Sequence, residues 1–356
     1  MSFATDPSLF VHQMDVNTDQ LMLMKVEEEE LRAASFLDQR LLEAKPGEQP
    51  RAWQWGDFAH IAPQTETPEA PARDDARFIF HIGHVGSTLL ARLLGEAPDT
   101  LALREPQILR QFAELRVVEG LPHSPWPPGR VAERLPLARK WLSRTFREGQ
   151  RALIKATSFV SDIAPDLIED SRKAVFLTLR PERYLQTILA GDASRQELAF
   201  LSGTRLQRLN RQLAKETGAE PIKLWDLDEA KRAAMAWACE MTALNSATQA
   251  AKEGGARDNV MWQDFDAFLA EPGDTLSATA RHLEVGISEE QAHRWVQGPV
   301  MTRYSKAPEQ GYSPQLREEV LERASREREN DIRAALRWLD AMAQEHPAIA
   351  AAIERV

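Results

Sequence analysis

The chain has a single cysteine, Cys239, among its 356 residues. One cysteine excludes an intrachain disulfide and a zinc cage built from cysteines, and its place in a helical pattern predicts a core position. No apolar run reaches the ~18 residues that a membrane-spanning helix needs, so no membrane partner is expected. The net charge of −10 argues against a broad nucleic-acid interface, so no nucleic-acid partner is expected either.

The start of the chain has neither the basic nor the apolar region of a secretory signal peptide, which favours a cytoplasmic protein. Hydrophobic residues make up 43% and charged residues 28%, as in ordinary soluble globular proteins. A chain of this length forms one large domain or two smaller ones. The sequence does not fix the oligomeric state, and a homodimer is one of the states it allows.

The first part of the chain differs in pattern from the rest. Residues 8–44 have a helical pattern in which the acidic run from Glu27 to Glu30 forms a solvated face. Residues 63–75 are rich in proline and charge, as in a linker or surface loop. We therefore predict an N-terminal helical extension over 1–72 and an α/β domain with a C-terminal helix over 73–356.

From Arg77 onward, apolar strand patterns alternate with helical patterns. The predicted strands are Phe78–Ile82, Thr100–Leu103, Ala152–Ile154, Ala174–Leu179 and Asn259–Trp262. The predicted helices span 87–95, 106–118, 130–147, 181–190, 195–216 and 229–252, with a charged helical tail over 314–344. This alternation predicts a three-layer α/β fold of the P-loop-like kind, with a central parallel sheet flanked by helices.

The first strand of this domain leads into a glycine turn that is suited to binding an anion. Gly83 and Gly86 allow a sharp turn and a close approach of the backbone to a ligand. Ser87 and Thr88 then open a helix with a leucine stripe. Free N–H groups and the helix dipole at such a turn attract phosphate.

Two common nucleotide-binding motifs do not fit this turn. A Walker A loop needs a lysine directly before its Ser/Thr, but here Gly86 precedes Ser87. A magnesium-dependent NTPase needs an aspartate at a strand end, but strand Ala174–Leu179 is followed by Arg180. A Rossmann loop would need a third glycine. The sequence therefore predicts phosphate binding without a metal, and a second anion site at Arg180.

These residues resemble the PAPS-dependent sulfotransferases, where PAPS is 3′-phosphoadenosine 5′-phosphosulfate. In that family a strand–loop–helix grips the 5′-phosphosulfate, and an arginine at a strand end with a later hydroxyl residue binds the 3′-phosphate. The resemblance implies that Arg180 and Thr187 form the 3′-phosphate site. It also implies a 5′-phosphosulfate loop made of Gly83, His84, Val85, Gly86, Ser87 and Thr88.

Further motifs follow in the family's order, and they are similar to those of bacterial and tyrosylprotein-type sulfotransferases. Leu103-Arg104-Glu105-Pro106 looks like the segment whose glutamate is the general base, which implies that role for Glu105. Lys155 resembles the lysine that stabilises the transferring sulfuryl group. Arg303 and Lys306 resemble the C-terminal loop that closes over the nucleotide.

Two positions depart from the family's pattern. His84 stands where the loop normally has arginine or lysine, and a neutral imidazole contributes less charge. Thr157 stands where the cytosolic small-molecule sulfotransferases have a histidine base, two residues after the lysine. The second departure shifts the role of base to Glu105, with His84 and His81 as reserve candidates.

The resemblance implies transfer of a sulfuryl group from PAPS to a hydroxyl, phenol or amine on a small molecule or peptide, with no metal. Two alternatives stay open at this point. One is a P-loop kinase-like transferase, which the missing lysine and aspartate oppose. The other is a member of the fold that binds a nucleotide without catalysis, which His84 makes conceivable.

Overall fold

The computed structural model describes residues 3–4, 6–43, 51–66, 71–169, 172–218, 220–303, 311 and 313–356. Its strands are β1 (Leu9–Asp15), β2 (Gln20–Lys25), β3 (Trp53–Asp57), β4 (Arg77–His81), β5 (Thr100–Arg104), β6 (Arg151–Lys155), β7 (Ala174–Thr178) and β8 (Val260–Asp264). Its helices are α1 (Glu28–Ala33), α2 (Phe58–Ile61), α3 (Ser87–Gly95), α4 (Gln107–Val118), α5 (Arg130–Leu142), α6 (Ala164–Leu167), α7 (Pro181–Ala190), α8 (Asp192–Thr217), α9 (Glu229–Glu253), α10 (Phe265–Ala270), α11 (Pro272–His282), α12 (Glu289–Trp295), α13 (Pro314–Glu327), α14 (Glu329–Glu345) and α15 (Pro347–Ile353). Within this part of the chain, no helix combines the length and the apolar character needed to cross a bilayer.

A five-stranded parallel sheet in the order β5-β6-β4-β7-β8 forms the centre of the α/β region. Every residue of β4, β5 and β7 is buried. Because successive side chains of a strand point to opposite faces, complete burial requires cover on both faces of the sheet. The α/β class predicted from the alternating patterns is confirmed, and each predicted strand is present with ends that differ by at most two residues.

The order of the strands places the end of β4 in the middle of one edge of the sheet. β4 pairs with β6 on one side, where Ile79 lies opposite Lys155, and with β7 on the other, where His81 lies opposite Leu177. Phe80 is fully buried and contacts the ring of Phe176 edge-on, with 5.6 Å between the ring centroids. The carboxyl ends of β4, β5, β6 and β7 therefore meet at one edge, where ligands bind in open α/β sheets.

The helical prediction for residues 8–44 is wrong. β1 and β2 form an antiparallel hairpin, and β3 pairs with β2 to complete a separate three-stranded sheet. The reason is a turn between β1 and β2: Asp15 accepts hydrogen bonds from the backbone N–H groups of Asn17 and Thr18, and Asp19 has φ +58°. Only the part that begins with the acidic run is α-helical among the described residues of this segment, as α1.

The N-terminal sheet packs on α4 and α5 of the α/β region. Gln111 on α4 exchanges two hydrogen bonds with the backbone of Met14, at 2.7 and 2.8 Å. Arg144, just after α5, donates to the carbonyls of Phe3 and Leu9 at 2.6 and 2.7 Å. The apolar side chains of β2 belong to the same buried cluster as those of β4. The first segment thus shares its core with the rest of the chain.

Candidate active site

The loop between β4 and α3 turns through three residues with positive φ. Gly83 has φ +93°, His84 +54° and Gly86 +71°. Gly86 is the N-cap of α3, and a Cβ atom added there would lie 2.0 Å from a carbon of the Phe265 ring. Glycine is therefore required at this position for both its conformation and its lack of a side chain.

The first turn of α3 has the unpaired groups of an anion site. The first helical bond runs from the N–H of Leu90 to the carbonyl of Gly86, so the N–H groups of the preceding three residues have no partner within the helix. The hydroxyl of Thr88 is buried and has no hydrogen-bond partner among the described residues. A buried hydroxyl without a partner beside free amides fits an oxygen of a bound phosphate. The residues of this loop therefore fit the 5′-phosphosulfate group that the sequence implies.

A cavity of about 380 Å³ opens beside this loop. The loop from His84 to Leu89 forms one wall, and Thr187 on α7 lies on another. Arg303 and Arg317 bring two guanidinium groups to the lining, and Phe265 contributes an aromatic ring. Cations, a ring and free amides around one cavity are the groups that a nucleotide with two phosphates needs.

Arg180 lies just beyond the end of β7, as the sequence predicts, separated from it by Leu179 and forming the N-cap of α7. Its side chain is exposed and makes no ion pair or hydrogen bond within the described part of the chain. β7 is the neighbour of β4, so Arg180 and the loop lie at the same edge of the sheet. Arg180 does not line the cavity, whereas Thr187 does, with its hydroxyl bound to the carbonyl of Arg183 at 2.8 Å.

The proposed C-terminal loop is described only at its ends. Arg303 lines the cavity and forms an isolated backbone bridge with Gly311. Lys306 lies outside the described residues. Arg317, at the start of α13, also lines the cavity and pairs with Asp266 at 2.9 Å. Arg317 is not among the residues predicted from the sequence, because a charged helical tail gives no signal that one of its arginines faces a cavity.

His84 is held by a carboxylate that the sequence analysis also missed. Its Nε2 lies 3.1 Å from Oε2 of Glu197 on α8, and the His84 side chain is mostly buried. The other oxygen of Glu197 lies 3.5 Å from Arg205, which is bound in turn to the fully buried Glu240 at 3.0 Å. Burial alone would lower the pKa of Arg205, but Glu240, Tyr184 and Glu197 together outweigh it and raise that pKa. The imidazole is thus fixed by a network of charges behind the loop.

Glu105 and Lys155 form an ion pair at the ends of β5 and β6. The two strands place Arg104 opposite Lys155, and the N–H of Glu105 donates to the carbonyl of Lys155 at 2.7 Å. The Lys155 side chain is 1% exposed and that of Glu105 is 15% exposed. Neither residue lines the cavity beside the loop, although Ser158, just after β6, lies against Gly83. The sequence placed each residue at the end of a strand, and the structure makes the two strands neighbours and pairs the side chains directly.

Comparison with known proteins gives likeness in structure alone. No family model and no curated protein matches the sequence. The sulfotransferase domain from the curacin biosynthetic pathway is 14% identical, covers 68% of this chain and 84% of its own, and has a TM-score of 0.41. A sulfotransferase from Alicyclobacillus acidocaldarius is 16% identical. The match covers 74% of this chain and 95% of that protein, with a TM-score of 0.34. A mouse sulfotransferase complexed with PAP is 10% identical. The match covers 64% of this chain and 65% of the mouse protein, with a TM-score of 0.31.

All three are sulfotransferases, the family that the sequence motifs resemble. At identities of 10–16%, the likeness is one of fold.

Proposed function

We propose that this chain is a sulfotransferase that moves a sulfuryl group from PAPS to a hydroxyl, phenol or amine of a small molecule or peptide. The observation that carries the proposal is the loop before α3. It contains two glycines with positive φ and no lysine, and the Thr88 hydroxyl has no hydrogen-bond partner among the described residues. Such a loop suits a phosphate that is bound without magnesium. The exposed Arg180 at the neighbouring strand end supplies a cation for a second phosphate.

The proposed chemistry follows from the Glu105–Lys155 pair. PAPS supplies an activated sulfuryl group when it is bound. Oε1 of Glu105 is engaged by Lys155, so Oε2 is left to take the proton of the acceptor hydroxyl. Proton removal by a positioned carboxylate is worth about 10²–10⁴-fold. Lys155 holds the carboxylate in place and brings a positive charge to the point where negative charge develops on the transferring group.

The direct test is transfer of labelled sulfate from [35S]PAPS to a panel of phenols, alcohols, amines and tyrosyl peptides, with EDTA present. We expect a labelled product that forms equally well without magnesium. PAP is the product that remains when PAPS has lost its sulfuryl group. Binding of PAP without transfer to any acceptor would favour the non-catalytic alternative. Magnesium-dependent phosphate transfer from ATP would establish the kinase alternative instead.

Glu105→Gln tests the role of the base. We expect turnover to fall by about 10²–10⁴-fold while affinity for PAP changes less than about twofold. Glu114→Gln on α4 is the matched control, since its carboxylate pairs with Arg110 on the surface. Normal turnover in Glu105→Gln would remove this residue from the chemistry.

A further inference from the structure

Glu105 has a strained backbone conformation that the surrounding residues must stabilise. Its φ is +57°, in the left-handed region that residues with a side chain avoid. Such a conformation persists only where the surrounding structure fixes it, and it is concentrated at functional sites. The bond from its N–H to Lys155 fixes one side of the residue. The groups that fix the other side come from the N-terminal segment.

Arg104, the residue before Glu105, is buried under the end of α1. Its side chain donates to the carbonyls of Leu31, Arg32 and Ala34 at 3.3, 2.5 and 2.7 Å. These carbonyls lie at the last turn of α1, where the helix dipole is negative and favours a cation. No carboxylate pairs with Arg104 in the described part of the chain. Burial, together with the charges of Arg92 and Arg32, lowers its pKa to about 9.

The same segment holds the backbone on both sides of Glu105. The N–H of Leu37 donates to the carbonyl of Arg104 at 2.7 Å. The carbonyl of Leu37 accepts from the N–H of Gln107 at 3.0 Å. Leu37 is fully buried, so these two bonds are shielded from water. Residues 31–37 thus bind the residue before Glu105 and the residue two positions after it.

We propose that Arg104 is a positioning residue, which clamps the catalytic carboxylate of Glu105 to residues 31–37. The N-terminal segment then has a part in the chemistry, because it holds Glu105 in its left-handed conformation against Lys155. The hydrogen bonds of the clamp do not depend on the proposed function, but the effect of the clamp on turnover rests on the proposed function of Glu105.

Amide hydrogen exchange tests the clamp without any substrate. In Arg104→Met we expect the amides of Glu105 and Gln107 to exchange at least ~10-fold faster, while those of β4 keep their protection. Gln39→Ala is the control: Gln39 lies beyond residues 31–37, is exposed, and donates to Gln13 rather than to β5. Its exchange at Glu105 and Gln107 should match the wild type. Unchanged exchange in Arg104→Met, or equal acceleration of every amide, would overturn the proposal.

Steady-state kinetics test the consequence, with the acceptor found in the [35S]PAPS panel. Arg104→Met should lower kcat by about a hundredfold, as expected for a misplaced catalytic group, and leave the KM for PAPS within about twofold. Arg104→Lys keeps the charge but has a single donor nitrogen, so it should recover part of the kcat. Gln39→Ala should leave kcat unchanged. Equal losses in Arg104→Met and Gln39→Ala would show a general loss of packing and refute the clamp.

The two arms separate the clamp from the proposed function. If the wild type transfers no sulfate, the proposed function fails, and hydrogen exchange alone decides whether residues 31–37 hold Glu105. If the wild type is active and Arg104→Met keeps its kcat, the clamp fails while the proposed function stands.

Discussion

At the scale of single residues, two of the residues that the sequence singled out have a strained backbone. The described residues include four with positive φ that are not glycine, namely Asp19, His84, Glu105 and Glu284. Two of them, His84 and Glu105, were predicted as site residues from motifs alone. Strain of this kind costs about 1–3 kcal/mol per residue and is retained where it has a use.

Gly86→Ala tests how tightly the loop is built. The substitution should destabilise the chain by more than the ~1–2 kcal/mol of a left-handed alanine, because the added Cβ collides with Phe265. Gly129→Ala is a matched control: Gly129 is also a left-handed N-cap, with φ +86°, but has open space around it. Urea unfolding of both variants measures the difference. Equal losses in the free energy of unfolding would show that the ring of Phe265 can move aside for the added Cβ without destabilising the chain.

Arg180→Ala tests the second anion site. The exposed guanidinium has no partner among the described residues, so its removal should not disturb the fold. Loss of a charge-assisted bond to a phosphate should weaken PAP binding by roughly 1.5–3 kcal/mol. Arg333→Ala, on the exposed side of α14, is the control for a lost positive charge. Calorimetric affinities that are equal in the two variants would remove Arg180 from the site.

At the scale of elements, the sequence predicted the central sheet well and the N-terminal sheet badly. Buried parallel strands such as β4 and β7 are continuous apolar runs bounded by turn residues, so their type and ends are readable. β1 and β2 are rich in leucine and methionine, which also favour helices. The deciding signal was the turn from Asp15 to Asp19, whose aspartate and asparagine residues are typical of hairpin connections.

His12 makes the N-terminal sheet sensitive to acid. It is the extra residue at the bulge in β1, it is fully buried, and neither ring nitrogen has a hydrogen-bond partner among the described residues. Burial lowers its pKa from 6.5 to about 4, so the unfolded chain binds the proton first as the pH falls. Stability should therefore fall between pH 6.5 and about 4, with a loss from this group of about 2 kcal/mol at pH 5.

The variant His12→Leu should remove this part of the pH dependence. Urea unfolding at pH 7 and pH 5 measures it, with His60→Gln as the control because His60 is exposed. The control should keep the wild-type difference between the two pH values. An unchanged difference in His12→Leu would show that His12 does not titrate as its burial requires.

At the scale of the whole molecule, the site draws on segments that are far apart in the sequence. The positions of the loop, Arg180, Glu105 and Lys155 could be predicted because each lies at or just beyond the end of a readable strand, and parallel strands end at one edge. Glu197 and Arg317 could not, because they lie on α8 and α13 and nothing local shows which face of a long helix meets the loop. The clamp on Glu105 depends in the same way on α1 reaching β5.

The shared core predicts that the N-terminal sheet and the central sheet unfold together. Leu21 of β2 and Phe78 of β4 are both fully buried in one cluster. Native-state hydrogen exchange should give the most protected amides of β2 and β4 the same free energy of opening. Opening of β2 at a clearly lower free energy would mean that residues 1–72 are a separate folding unit.

The most direct test of the central claim is a calorimetric titration of the protein with PAP in EDTA. We predict saturable binding of one PAP per chain, weakened in Arg180→Ala and in Gly86→Ala and unaffected in Glu105→Gln. ATP with magnesium should not displace the bound PAP. Absence of PAP binding, or binding of ATP that requires magnesium, would contradict the proposed function.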